Sequence, residues 1–203
     1  MGQNPSRKYS RIAKVYDLLE SPIERLLFQK LRKEAISNSY GTILEVGVGT
    51  GKNLPYYRKN VELTAVDFSI GMLNIAKNKQ KETGQKGLEL YEMDVQNLKF
   101  KDDTFDTVIS TFVFCTVPDP IAGLKEVRRV LKPKGKAIFL GHMKSRNPFI
   151  NIILSIMNLF SMNLLGTSML RETQHNIELS GMTVLSAENK VFDVIRLIIA
   201  TKS

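Results

Sequence analysis

The side chains best placed for chemistry gather around one glycine turn. Glu45 precedes Gly47, Gly49 and Gly51, three glycines at every second position, with Val48 among them and Lys52-Asn53 after them. Asp67 stands one strand-and-helix repeat further on, followed by Phe68 and Ser69, and Asp94-Val95 ends a third alternating run. Glycines in such a turn let the backbone bend and approach a ligand with no Cβ in the way. An acid at the tip of the next strand can accept from both hydroxyls of a ribose. The spacing differs from the G-x-G-x-x-G of nicotinamide enzymes, and a carboxylate at Glu45 would repel their pyrophosphate. A nucleoside bearing an ammonium and a sulfonium would be attracted instead, and S-adenosylmethionine carries both. Where the chemistry needs a base, His142, Tyr9 and Tyr16 are the candidates, ahead of His175.

Positioning these groups requires strands that end beside one another. Thr42–Val46, Val61–Val66, Leu88–Met93, Thr107–Phe114 and Lys136–Met143 read as strands, the first and fourth apolar enough for burial on both faces. Between them, helices are expected over Asn53–Lys59, with Pro55 in its first turn, and over residues 71–82, with Ser69 as N-cap and Gly84 as the stop. Ile121–Leu131 is a third helix, with Ile121, Leu124, Val127, Arg128 and Leu131 along one side. A helix closed by Ser180-Gly181 leads to a hairpin, Met182–Phe192 and Val194–Lys202. The alternation predicts one α/β domain over residues 1–203, a doubly wound, Rossmann-like, seven-stranded mixed sheet with a C-terminal antiparallel hairpin. Its ligand belongs at the carboxyl ends of strands one, two and four.

Between Tyr40 and Met143 the chain resembles the class I S-adenosylmethionine-dependent methyltransferases. The resemblance rests on Glu45-Val-Gly-Val-Gly-Thr-Gly51, Asp67-Phe-Ser69, Met93-Asp94-Val95 and Phe105–Thr111, in that order. It implies S-adenosylmethionine as cofactor, with Asp94 accepting from the adenine amino group and the Val95 amide reading a ring nitrogen. Tyr9, Glu45, Gly47, Val48, Gly49, Gly51, Asn53, Asp67, Phe68, Ser69, Met72, Thr111 and Phe112 complete the implied cofactor site. An N-terminal helix is implied over the cofactor, with Tyr16-Asp17 near the acceptor, so Tyr16 and His142 become the candidate catalytic residues.

Composition sets outer bounds. The chain has 203 residues, a formal net charge of +9 and one cysteine, Cys115, which cannot form an internal disulfide and suits a reducing compartment. Residues 1–14 lack the apolar run of a secretory leader, so a cytoplasmic location is expected, with peripheral contact to an anionic membrane. No metal site is expected, and the molecule is expected to be a monomer or homodimer.

Acceptor class is written mainly in two segments. Residues 7–33, read as two helices broken at Ser21-Pro22, hold eight basic residues against three acids. Residues 147–170 carry no charge at all, and their Asn and Ser residues make them a poor membrane span. That segment reads either as a lid or interfacial helix over a hydrophobic acceptor, or as a helix buried in the core or a dimer interface. Thr111–Cys115 lacks the Asn/Asp-Pro-Pro-Tyr signature of enzymes that methylate nucleic-acid amino groups, so no nucleic-acid partner is expected. The arrangement is similar to the branch containing quinone C-methyltransferases, phospholipid N-methyltransferases and membrane-associated thiol methyltransferases. A phospholipid amine is the expected acceptor, with a quinone or a small thiol or amine as alternatives. A non-catalytic S-adenosylmethionine-binding regulator is the alternative of another class.

Overall fold

A computed structural model describes residues 27–165 and 167–202. Tyr9, Tyr16 and most of the two helices expected over residues 7–33 lie outside the described residues; the described remainder falls in a helix, Gln29–Ser37, that runs past Lys33. Seven strands form one sheet in the order β3-β2-β1-β4-β5-β7-β6. These are β1 (Ile43–Val46), β2 (Leu63–Asp67), β3 (Leu88–Glu92), β4 (Phe105–Thr111), β5 (Leu131–His142), β6 (Met182–Val191) and β7 (Ile195–Lys202). Strands β1 to β5 pair in parallel, and β7 runs antiparallel to both β5 and β6. The strand order reverses beside β1, which puts the crevice of a doubly wound sheet at the carboxyl ends of β1 and β4.

Period-two alternation sorts the strand residues into two cores. Ile43, Ala65, Ile109 and Ile138 face one layer with α1 (Gln29–Ser37) and α2 (Ile70–Thr83), which contribute Ala35, Ile36 and Leu73. Leu44, Val66, Val108 and Phe139 face the other with α3 (Pro120–Val130) and α5 (Thr173–Leu179), which contribute Leu124, Val127 and Ile177. Helix boundaries follow side-chain chemistry. Ser69 Oγ accepts from the Met72 amide at 3.4 Å to start α2, and Gly84, at φ 68°, ends it in the left-handed region. Asp119 caps α3 through the Ala122 amide, with Pro120 in the first turn where no N–H is missed.

Three boundaries differ from the sequence expectation. Asn53–Lys59 forms only one 3-10 turn, Leu54–Tyr56, and Asn53 does not cap it, its side-chain oxygen accepting instead from Arg32 Nη1 at 3.2 Å. Strand β4 stops at Thr111 rather than Phe114: Phe112 takes a left-handed φ of 60°, and Thr116 closes a turn onto Val113. Strand β5 begins at Leu131, paired with Phe105, and the register then shifts across Lys132–Gly135 to Thr107 opposite Lys136. Arg128 does not join the buried side of α3; it is half-buried and donates to the Gly181 carbonyl at 3.0 Å, while Val130 is buried instead.

The core is tight enough that losing one side chain leaves a hole. Leu124 is fully buried between α3 and the sheet. Leu124→Ala should lower stability by about 2–5 kcal/mol in urea unfolding, with little change in the slope against denaturant.

Candidate active site

A buried polar network forms where β1 and β4 end. Glu45 is 1% exposed, and its Oε1 accepts from Asn53 Nδ2 at 2.8 Å. The same amide nitrogen donates to Thr111 Oγ1 at 2.9 Å. Arg32, from α1, closes the ring through Nη1 to Thr111 Oγ1 at 2.6 Å and to Asn53 Oδ1 at 3.2 Å. Burial pushes the Glu45 carboxyl up to about 7, against the pull of Tyr57, Asn53 and the Arg32 charge. Tyr57 is pushed far up by burial and then by the neighbouring Glu45 charge. Glu45 Oε2 and the Tyr57 hydroxyl are both buried, and neither closes a hydrogen bond of full geometry, although the two groups act on each other's protonation. The network thus holds one carboxylate oxygen and leaves the second with acceptor capacity for an incoming cation.

The glycine turn is clamped from the next strand. Asp67, at the tip of β2, accepts from the Gly49 amide through Oδ2 and from the Ser69 amide through Oδ1, each at 2.9 Å. Burial raises its pKa, and these two amides oppose the rise. Each oxygen keeps a lone pair for a hydroxyl. Gly47, Gly49 and Gly51 have φ of 70°, 56° and 80°. A Cβ on Gly47 would meet Val113 at 2.4 Å, so that glycine serves packing. A Cβ on Gly49 would meet nothing within 4 Å and would project into open space. An open face at Gly49, an orphaned carboxylate oxygen at Glu45 and a ribose-competent acid at Asp67 fit S-adenosylmethionine: backbone cradle, ammonium partner and hydroxyl acceptor.

Aromatic groups line the next two strand ends. Phe112 packs on Phe28 with ring centroids 4.8 Å apart and on His142 at 5.1 Å, and Phe28 meets His142 edge-on at 6.1 Å. The Arg32 guanidinium lies over the Phe112 ring, 4.9 Å from its centroid. Burial lowers the His142 pKa, so the imidazole is neutral at physiological pH. Ser110, Phe112, Cys115, Gly141 and His142 line a crevice between the ends of β4 and β5.

Of the residues singled out in the sequence, Glu45, Asn53 and Thr111 converge in one hydrogen-bonded cluster. Gly49, Asp67 and Ser69 form a second, and Phe112 with His142 a third. Val48, Met72 and Val95 are buried, and Phe68 is half-buried. Asp94 is exposed and held by the amide and side chain of Gln96 at 2.9–3.0 Å, with Gln96 in turn accepting from the Asp119 amide. His175 is exposed on α5, and Cys115 is buried and packed. Arg32 was hidden among the basic residues of the N-terminal segment, since no spacing marks it off from Lys30 or Lys33. Among the described residues, no group of three or more His, Cys, Asp or Glu could hold a metal ion.

Two measurements test this geometry. Because Glu45 binds its proton more tightly folded than unfolded, its burial costs nothing at low pH. The cost grows as pH rises from the ordinary 4.5 toward 7 and then levels off. Ligand-free protein should therefore lose on the order of 3 kcal/mol over that window relative to Glu45→Gln, read from urea midpoints at successive pH values. Asp67→Ala should weaken S-adenosylmethionine by about 2 kcal/mol, close to thirtyfold in Kd by calorimetry. Gly49→Val should weaken it more, by filling the open face and straining φ.

Comparisons with known proteins bear on the family and the fold. Residues 44–139 match the family described as "Methyltransferase domain", a span that holds Glu45, Asp67 and Thr111 but ends before His142. The chain is 38% identical over 143 residues to a phosphatidylethanolamine N-methyltransferase of Cereibacter sphaeroides, covering 68% of this chain and 67% of that one. It is 30% identical over 168 residues to a demethylmenaquinone methyltransferase of Staphylococcus aureus, covering 81% and 68%. The fold is shared with an S-adenosylmethionine-dependent methyltransferase of Thermotoga maritima, at TM-score 0.75 and 21% identity over 97% of this chain and 99% of that one. A counterpart of Aquifex aeolicus gives TM-score 0.71 at 22% identity over the full length of both. A carboxylate left open for a cation, an acid for a ribose and a bare glycine cradle are thus set in the fold of these enzymes, and the chain belongs to the S-adenosylmethionine-dependent methyltransferases.

Proposed function

We propose that this methyltransferase alkylates the amine of an amphiphilic, lipid-like acceptor, a phospholipid amine, as a peripheral visitor to a membrane. The observation that carries the reading is the aromatic wall of Phe28, Phe112 and His142 at the ends of β4 and β5. Its rings offer apolar contact and faces that attract cations, as the Arg32 guanidinium over Phe112 illustrates. An ammonium must release a proton before its nitrogen lone pair can attack, and the half-buried His142, its pKa lowered by desolvation, is a base in the right protonation state. The cofactor supplies an activated methyl group on a sulfonium. The protein's task is to align the acceptor in a site from which water is excluded. The Cereibacter relative, named for methylation of phosphatidylethanolamine, supports the amine reading. No helix among the described residues is long and apolar enough to cross a membrane.

A second reading, C-methylation of a quinone, has support from the demethylmenaquinone methyltransferases among the relatives, and an aromatic wall would stack on a quinone ring equally well. Turnover of labelled S-adenosylmethionine against amine-bearing phospholipids, demethylated quinones and small thiols separates these readings. With an amine acceptor, His142→Gln should cut kcat by about 10²–10⁴-fold and leave S-adenosylmethionine affinity within about twofold. The acid limb of the wild-type rate profile should lie below the ordinary imidazole value of 6.5 and be absent from the variant. Full activity in His142→Gln removes the base assignment.

A further inference from the structure

Helix α4 (Pro148–Leu165) is turned inside out relative to an ordinary surface helix. Its polar residues point into the protein. Asn151 accepts from the Ser145 amide at 3.0 Å and donates to the Ser145 carbonyl at 2.8 Å. Asn158 accepts from the Met169 amide at 2.8 Å, and Ser161 Oγ donates to the Thr167 carbonyl at 2.8 Å. Ser155, though exposed, donates its hydroxyl proton back to the Asn151 carbonyl. The apolar residues point out. Phe149 is 76% exposed, and Ile152, Ile153, Ile156, Met157, Leu159 and Met162 are all exposed, while Leu154 alone among the described apolar side chains of the helix is buried. Asn151, Asn158 and Ser161, among the residues that argued against a membrane span in the sequence, are therefore the ones that tie the helix down. This overturns the reading of 147–170 as a helix of the core.

We propose that α4 lies flat in the headgroup–acyl boundary of an anionic bilayer and is the surface by which the enzyme docks on its substrate phase. The inference rests on the lipid-acceptor reading and names the surface that serves it. Three observations favour a bilayer over a second copy of the chain. First, at about 100° per residue the outward side chains sweep roughly 220° of the helix circumference. One partner helix covers a stripe of about 100°, whereas fluid lipid can surround a convex ridge. Second, the helix carries no charge of its own and is flanked by Arg146 and Arg171, Lys144 being paired with Glu172 at 2.7 Å, which leaves a positive rim that complements anionic headgroups and no acid to match it on a second copy's helix. Third, five residues separate His142 from the first residue of α4, which keeps the start of the helix within roughly 20 Å of the aromatic wall.

The test uses the full-length protein with phosphatidylcholine vesicles, with and without phosphatidylglycerol. Binding should require the anionic lipid and weaken with added salt. Ile153→Ser combined with Ile156→Ser should lower vesicle partition at least about tenfold while S-adenosylmethionine affinity and circular dichroism stay unchanged. A fluorophore on Ile156→Cys, with native Cys115 buried away from the reagent, should shift to the blue and be quenched by brominated lipid. The same label on Lys81→Cys of α2 should stay in water. A label at 156 that remains water-like on vesicle-bound protein overturns the proposal. So does light scattering that finds a lipid-free dimer which the double substitution dissolves. The two readings fail separately. If the label inserts but no lipid amine is methylated, the docking surface stands and the acceptor reading falls. If a short-chain, water-soluble phosphatidylethanolamine is methylated while the label stays in water on vesicles, the acceptor reading stands and the docking surface falls.

Discussion

A carboxylate taken almost wholly out of water, Glu45 at the end of β1, sets the terms for the surrounding structure. Burying a charge costs several kcal/mol unless partners restore what water supplied, and an apolar residue of similar size would usually be more stable there. Here the partners are arranged to restore only part of it. A neutral amide, Asn53, takes the direct hydrogen bond, and the positive Arg32 is one residue removed, bonded to Asn53 and Thr111. A direct guanidinium fork would have neutralised the acid. The observed relay orients it and leaves Oε2 open, which suits a site whose ligand brings its own positive charge.

That requirement shapes the neighbouring segments. Asn53 gives its amide nitrogen to Glu45 and Thr111 and its oxygen to Arg32, so no side-chain acceptor caps the segment after the glycine turn, which stays a single 3-10 turn. Thr111 must lie within reach of Arg32 and Asn53, and the chain leaves the sheet immediately afterwards through the left-handed Phe112. A non-glycine residue in that region costs energy, and here it swings an aromatic ring between Phe28 and His142. Helix α1 is drawn in as well, because Arg32 is the only link from that helix to Thr111 among the described hydrogen bonds. The Glu45 network and the aromatic wall are thus two sides of one strand end.

Helix α4 follows a different logic. Most helices bury an apolar stripe and solvate a polar one. This one spends its hydrogen-bonding side chains on the loops at its two ends, Ser145 and Thr167–Met169, and leaves its aliphatic surface uncovered. The anchoring bonds are local, so the helix can stand proud of the domain without leaving buried polar groups unpaired. An exposed apolar surface of this extent marks an interaction site in a protein that must otherwise stay dispersed.

By itself the sequence determined the sheet, its order of strands and helices, the caps at Ser69 and Gly84, and the place of Glu45, the glycines and Asp67 at the strand ends. These are local matters: period-two alternation, backbone positions that exclude a Cβ, and acids fixed at strand tips by chain spacing. What the tertiary structure decided was everything that depends on distant segments meeting. Arg32 and Thr111 are 79 positions apart, and nothing in either neighbourhood announces their contact. The end of β4 at Thr111 was equally hidden, because Phe112, Val113 and Phe114 keep the composition of a strand after the backbone has left the sheet. The direction in which α4 faces was hidden for the same reason. Periodicity finds the two sides of a helix, but which side meets the protein depends on partners for Asn151, Asn158 and Ser161 that only the folded chain supplies.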